Sequence, residues 1–319
     1  MGEVERYPNG TFCWVDLGTS DAPGAKGFYG ELLGWEFEDL PTGDKGTYSI
    51  CRRDGKAVAG LYDRAETPAW GSYISVDDVD AATGRARELG AEVLVEPFDS
   101  PGGGRVATVR DPAGAVVSLS RPGESFGAEL VNADGAWTWN ELTSGDLAAG
   151  ARFYGELLGW SAQEVPGPLP RTSFTLGDLL VGGGHAPAPG EDPTPRWSVT
   201  FWVPDADQAA AGAAELGGAV LLPPMDIPVG RFTILADPQG AVFLASAVPG
   251  GPLRASTGPE GQRRAPAPTG WRPSSVGVRA TPRGRRRSAT PSSSMWTTNS
   301  TEDPIRNRML GRLGLPGSR

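Results

Sequence analysis

The octapeptide FYGELLGW occupies residues 28–35 and recurs unchanged at residues 153–160. The similarity extends outward from it at nearly the same offset. FCWVDLGTSD before the first copy corresponds to WTWNELTSGD before the second, RELGAEVLVEPFD parallels AELGGAVLLPPMD, and GRVATVRDPAGAVVSL parallels GRFTILADPQGAVFLA. A long self-match at a fixed offset indicates internal duplication. The sequence therefore predicts two tandem domains, at residues 9–122 and 134–248.

Each domain is itself doubled, because a short strand, an Asp, a helix, a Gly and further strands follow one another twice. In the first helix, Ala25, Phe28, Tyr29 and Leu32 share one face, and Gly34 marks its end. Short β-type runs such as TYSICRR are separated by Gly, Pro and Asp turns. The implied unit is βαβββ, four times over. Since one unit leaves a sheet face uncovered, we expect an α+β fold in which two units pair into a concave mixed β-sheet with outer helices.

The charge of the chain is unevenly distributed. The net charge is −9, but residues 249–319 hold 13 arginines and 3 acidic residues, a net of +10, so residues 1–248 carry −19. An acidic body makes nucleic acid an unlikely main partner. Residues 249–319 are rich in Pro, Gly, Ser and Arg without apolar periodicity, and such a composition cannot offset the entropy of ordering. We expect this segment to be a disordered tail.

Several features bear on compartment and partners. No apolar run approaches the roughly 20 residues that span a bilayer, and the N-terminal stretch MGEVERYPNGTFCW has no signal-peptide core. We expect a cytoplasmic protein with no membrane partner, either a monomer or a homodimer. The two cysteines, Cys13 and Cys51, predict ordinary buried thiols. The single histidine, His185, is expected in a solvated loop because it follows a run of glycines.

The repeated motifs resemble a known family. The strand–Asp–helix run ending in FYGELLGW, the VDD helix ending in ELGA and the closing DPAGAVVSL or DPQGAVFLA are similar to the vicinal oxygen chelate superfamily, which includes glyoxalase I, extradiol dioxygenases and bleomycin resistance proteins. The resemblance covers nearly all of residues 9–248. It implies the fold, but fold alone does not establish chemistry.

The resemblance also implies where a metal would be held. In metal-using members, His or Glu ligands lie on the first strands of the modules and seven residues after the Asp of the closing motif. Here those positions hold Trp14, Trp139, Gly71, Val199, Ser118 and Leu244. A divalent metal needs several His or carboxylate ligands. We therefore expect no cofactor, with a divalent metal on unusual ligands as the alternative.

Strand alternation predicts which side chains face a ligand, because every second side chain of a strand points to the same face. Both repeats then aim two aromatic side chains and one carboxylate at the concave side. These candidate ligand-binding residues are Phe12, Trp14 and Asp16 in the first repeat and Trp137, Trp139 and Glu141 in the second. Rings stack on flat or apolar molecules, and a carboxylate accepts hydrogen bonds from a polar group. The alternative is that the tryptophans simply fill each cavity.

Two arginines complete the set of candidates. Arg105 and Arg231 lie at equivalent places just before the penultimate strand of each repeat. We expect each to form an ion pair with the carboxylate of its own domain, since a buried carboxylate needs a partner. The alternative role is recognition of an anionic ligand.

Three functions remain open from the sequence. The first is binding of a small apolar or aromatic molecule without a conventional metal site, as the resistance-protein branch implies. The second is an enzyme, either a glyoxalase-like lyase, dioxygenase or hydroxylase with atypical ligands or a metal-free catalyst using Asp16 or Glu141. The third is a non-catalytic scaffold whose cavities are filled.

Overall fold

The structure is a computed structural model that describes residues 2–248 except 43–45, 64–65, 101–103, 124–126, 167–170 and 228–229. The predicted tail at residues 249–319 lies outside the described residues. Two short strands, β1 (Gly2–Glu3) and β10 (Leu130–Val131), pair with each other, β1 before the first repeat and β10 between the two. None of the helices among the described residues is long and apolar enough to cross a membrane.

The first repeat consists of two βαβββ units. The first unit is β2 (Phe12–Gly18), α1 (Ala22–Leu33), β3 (Glu36–Pro41), β4 (Thr47–Arg53) and β5 (Lys56–Tyr62). The second unit is β6 (Ala69–Ser75), α2 (Val79–Glu88), β7 (Glu92–Asp99), β8 (Arg105–Arg110) and β9 (Val116–Arg121). Together they form one eight-stranded sheet in the order β3-β4-β5-β2-β6-β9-β8-β7.

The second repeat has the same organisation. Its first unit is β11 (Trp137–Thr143), α3 (Leu147–Leu158), β12 (Ser161–Val165), β13 (Arg171–Leu176) and β14 (Leu179–His185). Its second unit is β15 (Arg196–Trp202), α4 (Ala206–Glu215), β16 (Ala219–Ile227), β17 (Gly230–Ala236) and β18 (Val242–Ala247). The sheet order, β12-β13-β14-β11-β15-β18-β17-β16, is that of the first repeat. The predicted pair of mixed-sheet domains is confirmed.

The helix boundaries follow from local chemistry. Asp21 and Asp146 cap the starts of α1 and α3, where each carboxylate accepts a hydrogen bond from a backbone N–H three residues on. Gly34 and Gly159 end the two helices in the left-handed conformation, with φ of 68° and 76°. The end of the first helix at Gly34 was predicted from the sequence.

The repeated octapeptide builds a core that the two repeats share. Tyr29 of α1 donates a hydrogen bond to Asp237 of the second repeat, and Tyr154 of α3 donates one to Asp111 of the first. The Trp that ends each octapeptide stacks on the Tyr of its own repeat and donates its indole N–H to a backbone carbonyl of the other repeat. Burial raises the pKa of Asp111 and Asp237. The duplication is therefore also an interface, in which each half completes the other.

Both cysteines are free and buried, as expected. Burial raises the pKa of Cys13 to about 12 and moves the pKa of Cys51 in the same direction. Thiols that resist ionisation in this way are poor nucleophiles. They belong to the packing of the fold.

Candidate functional site

The helices cover one face of each sheet, and the candidate site lies on the opposite, concave face. A β-bulge at Cys13 interrupts the alternation of β2, because Phe12 pairs with Ile74 and Trp14 with the adjacent Tyr73. Phe12 therefore turns to the helix side. Its ring packs against Trp160 and other aromatic rings of the shared core.

The same bulge occurs in β11, between Trp137 and Trp139. Trp137 is buried in the shared core, with its ring centroid 6.5 Å from that of Phe12. The prediction that these two aromatic residues share a face with the carboxylates was wrong, because strand alternation holds only where no residue is inserted. Of the predicted site residues on these strands, the structure brings together Trp14 with Asp16 and Trp139 with Glu141.

Strand register aligns a row of side chains across each concave face. We call it the central row. In the first repeat it runs through Trp14, Tyr73, Ser118, Thr108 and Val95, from β2 to β7. In the second it runs through Trp139, Thr200, Leu244, Ile234 and Leu222, from β11 to β16.

The two central rows differ in chemistry and in exposure. Four members of the first row are buried, and three of the five carry hydroxyl groups that can bond to neighbours, as the 2.9 Å contact between Ser118 and Thr108 shows. In the second row only Thr200 is buried, while Trp139 and its three aliphatic side chains remain partly exposed. The second concave face therefore offers an open apolar surface, and the first is closed by its own side chains.

The carboxylate of the first repeat is hydrogen-bonded to a tyrosine. Asp16 is 1% exposed and accepts a hydrogen bond of 2.7 Å from the Tyr73 hydroxyl. Trp14 donates its indole N–H to the Tyr48 hydroxyl at 2.9 Å. Phenol and indole groups thus share the concave face of the first repeat with this carboxylate.

The carboxylate of the second repeat has charged neighbours. One oxygen of Glu141 accepts a hydrogen bond of 2.7 Å from Trp139 Nε1. The other lies 2.9 Å from Arg171 Nη1 and 3.3 Å from His185 Nδ1. The far nitrogen of His185 lies 3.2 Å from Glu191, which also pairs with Arg196 at 2.7 Å. A chain of alternating charges therefore runs from the end of the central row to the loop after β14.

Glycines make room for these groups. A Cβ atom on Gly183 would lie 2.3 Å from a carboxylate oxygen of Glu141, and one on Gly60 would lie 2.0 Å from the Tyr48 hydroxyl. Both positions are on the strand next to the one that carries the carboxylate, in β14 and β5. The glycine-rich strands seen in the sequence thus bring the backbone close to the site.

His185 was expected in a solvated loop, and that prediction was wrong. It is the last residue of β14, and its side chain is 21% exposed between two carboxylates. The hydrogen bond to Glu141 raises the pKa of His185, and the charges of Glu141 and Glu191 act in the same direction against desolvation. Burial opposes ionisation of Glu191, but the Ala188 N–H and the charges of His185 and Arg196 outweigh it, so the pKa of Glu191 is lowered.

The titration of His185 tests this arrangement. Because the chain has one histidine, the imidazole resonances of a protein without a histidine tag report on this site alone. We expect a pKa above 6.5 in the native protein and a lower pKa in Glu141→Gln, since the amide cannot stabilise the imidazolium. Stability contributed by the charged histidine is present below pH 6.5 and is lost as the pH rises through the raised pKa. A native pKa at or below 6.5, or no change in the variant, would contradict the charged pair.

Arg105 and Arg231 do not reach the concave carboxylates. Arg105 bonds to Asp80 and Asp99, and Arg231 bonds to Asp207 and Asp226. In both cases one partner is in the first turn of a helix and the other is the last or second-to-last residue of an edge strand. The arginines form ion pairs, as predicted, but tie a helix to an edge strand on the surface; their predicted partners were wrong.

The positions at which the family resemblance implies metal ligands do not supply them here. Trp14 and Trp139 cannot coordinate, Ser118 is hydrogen-bonded to Thr108, and Leu244 is apolar. In the described parts of residues 2–248, no three His, Cys, Asp or Glu side chains are close enough together to hold a metal ion. These side chains do not fit the family's metal.

One expected ligand position also faces the wrong way. Val199 is buried in the shared core, and its neighbour Thr200 lies in the central row of the concave face. Thr200 is the register equivalent of Tyr73 in the first repeat. The central row therefore carries a hydroxyl group on β6 and on β15. Neither strand supplies a His or carboxylate ligand at this position.

Sequence reasoning missed the groups that surround the carboxylates. Arg171, His185 and Glu191 come from strands and a loop distant in sequence from Glu141, and Tyr48 is likewise distant from Trp14. A usable signal was present, because Arg171 and His185 in the second repeat take the places of Tyr48 and Tyr62 in the first. Aligning the repeats strand by strand would have shown polar residues there.

Comparisons with known proteins agree with the fold. A family model described as the Glyoxalase/Bleomycin resistance protein/Dioxygenase superfamily matches residues 11–119, and one described as a Glyoxalase-like domain matches residues 141–245. The Mycobacterium tuberculosis protein named "Putative glyoxylase CFP32" is 40% identical over 253 residues, which are 76% of this chain and 97% of that protein. Anthracycline biosynthesis protein DnrV of Streptomyces peucetius is 34% identical over 262 residues, or 75% and 94% of the two chains.

Solved structures show the same architecture. The Mn(II)-bound glyoxalase from Novosphingobium aromaticivorans has a TM-score of 0.55 at 18% identity, covering 75% of this chain and 82% of its own. The 2,2',3-trihydroxybiphenyl 1,2-dioxygenase from Sphingomonas wittichii has a TM-score of 0.56 at 16% identity, covering 77% and 92%. At such identities the likeness concerns the fold alone.

Proposed function

The chain belongs to the Glyoxalase/Bleomycin resistance protein/Dioxygenase superfamily, and we propose that it binds a planar, largely apolar small molecule on the concave face of its second repeat. The observation that carries this proposal is the partly exposed central row of Trp139, Leu244, Ile234 and Leu222. Apolar side chains left open on a concave sheet are a common feature of small-molecule sites.

The dimensions of the row suit a molecule with fused rings. Neighbouring strands are about 4.8 Å apart, so the distance from Trp139 on β11 to Ile234 on β17 spans about 15 Å of sheet. The indole at one end can stack on an aromatic ring, and the aliphatic side chains beyond it can cover the rest of a flat face. Val242, two residues before Leu244 on β18, and Met225, on the edge strand β16, are 39% and 44% exposed and extend the apolar surface.

The names of two relatives bear on the ligand class. One relative is named for anthracycline biosynthesis, and fused-ring aromatic compounds of that kind are flat enough to lie on the central row. The other is named as a glyoxylase. The side chains at the family's metal positions favour a fused-ring aromatic ligand for this chain. They provide a surface for stacking, and the described residues form no set of metal ligands.

Isothermal titration calorimetry with a dihydroxyanthraquinone tests the proposal. We expect one binding site per chain and an affinity that falls roughly tenfold or more in Trp139→Ala, since the variant removes the stacking surface. Ile234→Ala, three strands away from Trp139 along the row, should weaken binding as well. The matched control is Trp14→Ala in the closed first repeat, which should bind as the native protein does.

Thermal melts of each variant exclude unfolding as the cause. Binding that is lost in Trp14→Ala and kept in Trp139→Ala would move the site to the first repeat. No heat of binding with any fused-ring probe would contradict the proposal.

The pairing of Glu141 with His185 favours a second candidate, metal-free proton transfer on the bound molecule. Mass spectrometry of a fused-ring ketone with enolisable hydrogens, such as 1-tetralone, after incubation with the protein in D₂O distinguishes the two. Unchanged probe supports binding alone. Protein-dependent exchange of carbon-bound hydrogen that disappears in Glu141→Gln supports catalysis.

A further inference from the structure

The second-repeat site combines its apolar row with the guanidinium of Arg171. We propose that this site selects molecules carrying a carboxylate or a similar anionic group, which Arg171 binds with the donors that Glu141 leaves unused. The inference rests on the proposed function, because the same molecule is held by the central row. It adds the chemical class of the polar end of that molecule.

Arg171 is placed to meet a ligand. It is the first residue of β13, and its Nη1 donates to Glu141 at 2.9 Å. Its side chain is 43% exposed, whereas that of Glu141 is 7% exposed. Among the described residues, Glu141 is the one hydrogen-bond partner of the guanidinium. The remaining N–H groups of this rigid fork can bind a carboxylate through two hydrogen bonds.

The charge of Arg171 is not cancelled by its partner. Glu141 is shared between Arg171, His185 and the indole N–H of Trp139. The second carboxylate nearby, Glu191, is occupied by His185, by Arg196 and by the Ala188 N–H. With His185 protonated, the three cations Arg171, His185 and Arg196 exceed the two carboxylates Glu141 and Glu191 by one positive charge. An anion can approach this charge at the exposed guanidinium of Arg171.

One carboxylate fixes the position of both the cation and the indole. Trp139 bonds to one oxygen of Glu141 and Arg171 to the other. The guanidinium therefore lies at the indole end of the central row. A flat molecule lying along the row would place a substituent on its terminal ring next to Arg171.

The first repeat is an internal comparison. Strand register puts Tyr48 at the place of Arg171 and Tyr62 at the place of His185. The Tyr48 hydroxyl accepts a hydrogen bond from Trp14, so this repeat also joins its tryptophan to the residue at that place, which here is a tyrosine. The two repeats thus share a framework in which the second has a guanidinium where the first has a phenol.

Two probes with the same ring system test the inference. Anthraquinone-2-carboxylate and anthraquinone-2-carboxamide are titrated into the full-length protein by calorimetry at pH 7. We expect the carboxylate to bind about 10- to 100-fold more tightly, the effect of hydrogen bonds to a charged group. In Arg171→Gln the two probes should bind equally, near the affinity of the carboxamide.

Arg231→Gln is the matched control, because it removes an arginine charge from the surface of the same repeat, away from the concave face. It should keep the preference for the carboxylate. Equal binding of both probes to the native protein, or a preference that survives in Arg171→Gln with an unchanged melting temperature, overturns anion selection and leaves the proposed function standing. If neither probe binds, the proposed function fails together with the inference.

Discussion

Replacing Phe12 with alanine should lower the free energy of unfolding by about 3–5 kcal/mol, the usual cost of deleting a buried aromatic ring. Phe12 is 4% exposed, and its ring centroid lies 5.0 Å from that of Trp197 and 5.8 Å from that of Trp160. The void would open in the core that the two repeats share, where neither repeat can close it alone. Guanidinium unfolding followed by linear extrapolation measures the change.

A second phenylalanine serves as the control for this prediction. Phe232 lies on β17 and is only partly buried, so Phe232→Ala should cost less than half as much. Ligand binding should be unchanged in Phe12→Ala under conditions where that variant is folded. A small stability change combined with lost binding would instead place Phe12 at the ligand, on the face first expected from strand alternation.

Tyr154→Phe should cost about 2–4 kcal/mol of stability although it removes a single oxygen atom. The hydroxyl donates to Asp111 at 2.8 Å and accepts from Trp197 Nε1 at 2.7 Å. Its loss leaves a buried carboxylate oxygen and a buried indole N–H without these partners, and each such group costs about 1–3 kcal/mol. Chemical denaturation of the purified variant gives the value.

The pH dependence of this penalty gives an independent check. Burial already raises the pKa of Asp111, and loss of the tyrosine hydrogen bond should raise it further. A raised pKa means that the group favours folding when protonated, so the penalty should be larger at pH 7 than at pH 4. Tyr29→Phe, which breaks the equivalent bond to Asp237, should behave in the same way. Penalties below 0.5 kcal/mol in both variants would show that the reciprocal bonds do not hold the repeats together.

The fold was predictable because each of its determinants is local or repeated. The helix-capping Asp21 and Asp146 and the left-handed Gly34 and Gly159 act within a few residues of their own position. The role of the octapeptide was not predictable in the same way. Tyr29 meets Asp237 across 208 residues of sequence, and only the folded chain brings them together.

The candidate site was predictable in part. Trp14 with Asp16, and Trp139 with Glu141, lie on the concave face as alternation predicts. The prediction from alternation was wrong for Phe12 and Trp137, which lie on the other side of a bulge. An inserted residue reverses the face to which the side chains beyond it point. A bulge leaves little trace in a single sequence, because the residues on both of its sides are apolar here.

The ion-pair partners were the least predictable feature. Arg105 and Arg231 recur at equivalent positions, which made them the natural partners for Asp16 and Glu141, yet each bonds to aspartates of its helix and edge strand. Arg171, which does reach Glu141, has no counterpart of its own type in the first repeat. The arginines that recur in both repeats therefore stabilise the fold, whereas the arginine that occurs in one repeat only lies at the candidate site.

A crystal structure of the protein soaked with anthraquinone-2-carboxylate would show directly where such a ligand lies. We expect density for the ring system along the central row of the second repeat, stacked on Trp139, with the carboxylate within hydrogen-bond distance of Arg171. Density on the concave face of the first repeat, beside Trp14 and Asp16, would contradict it.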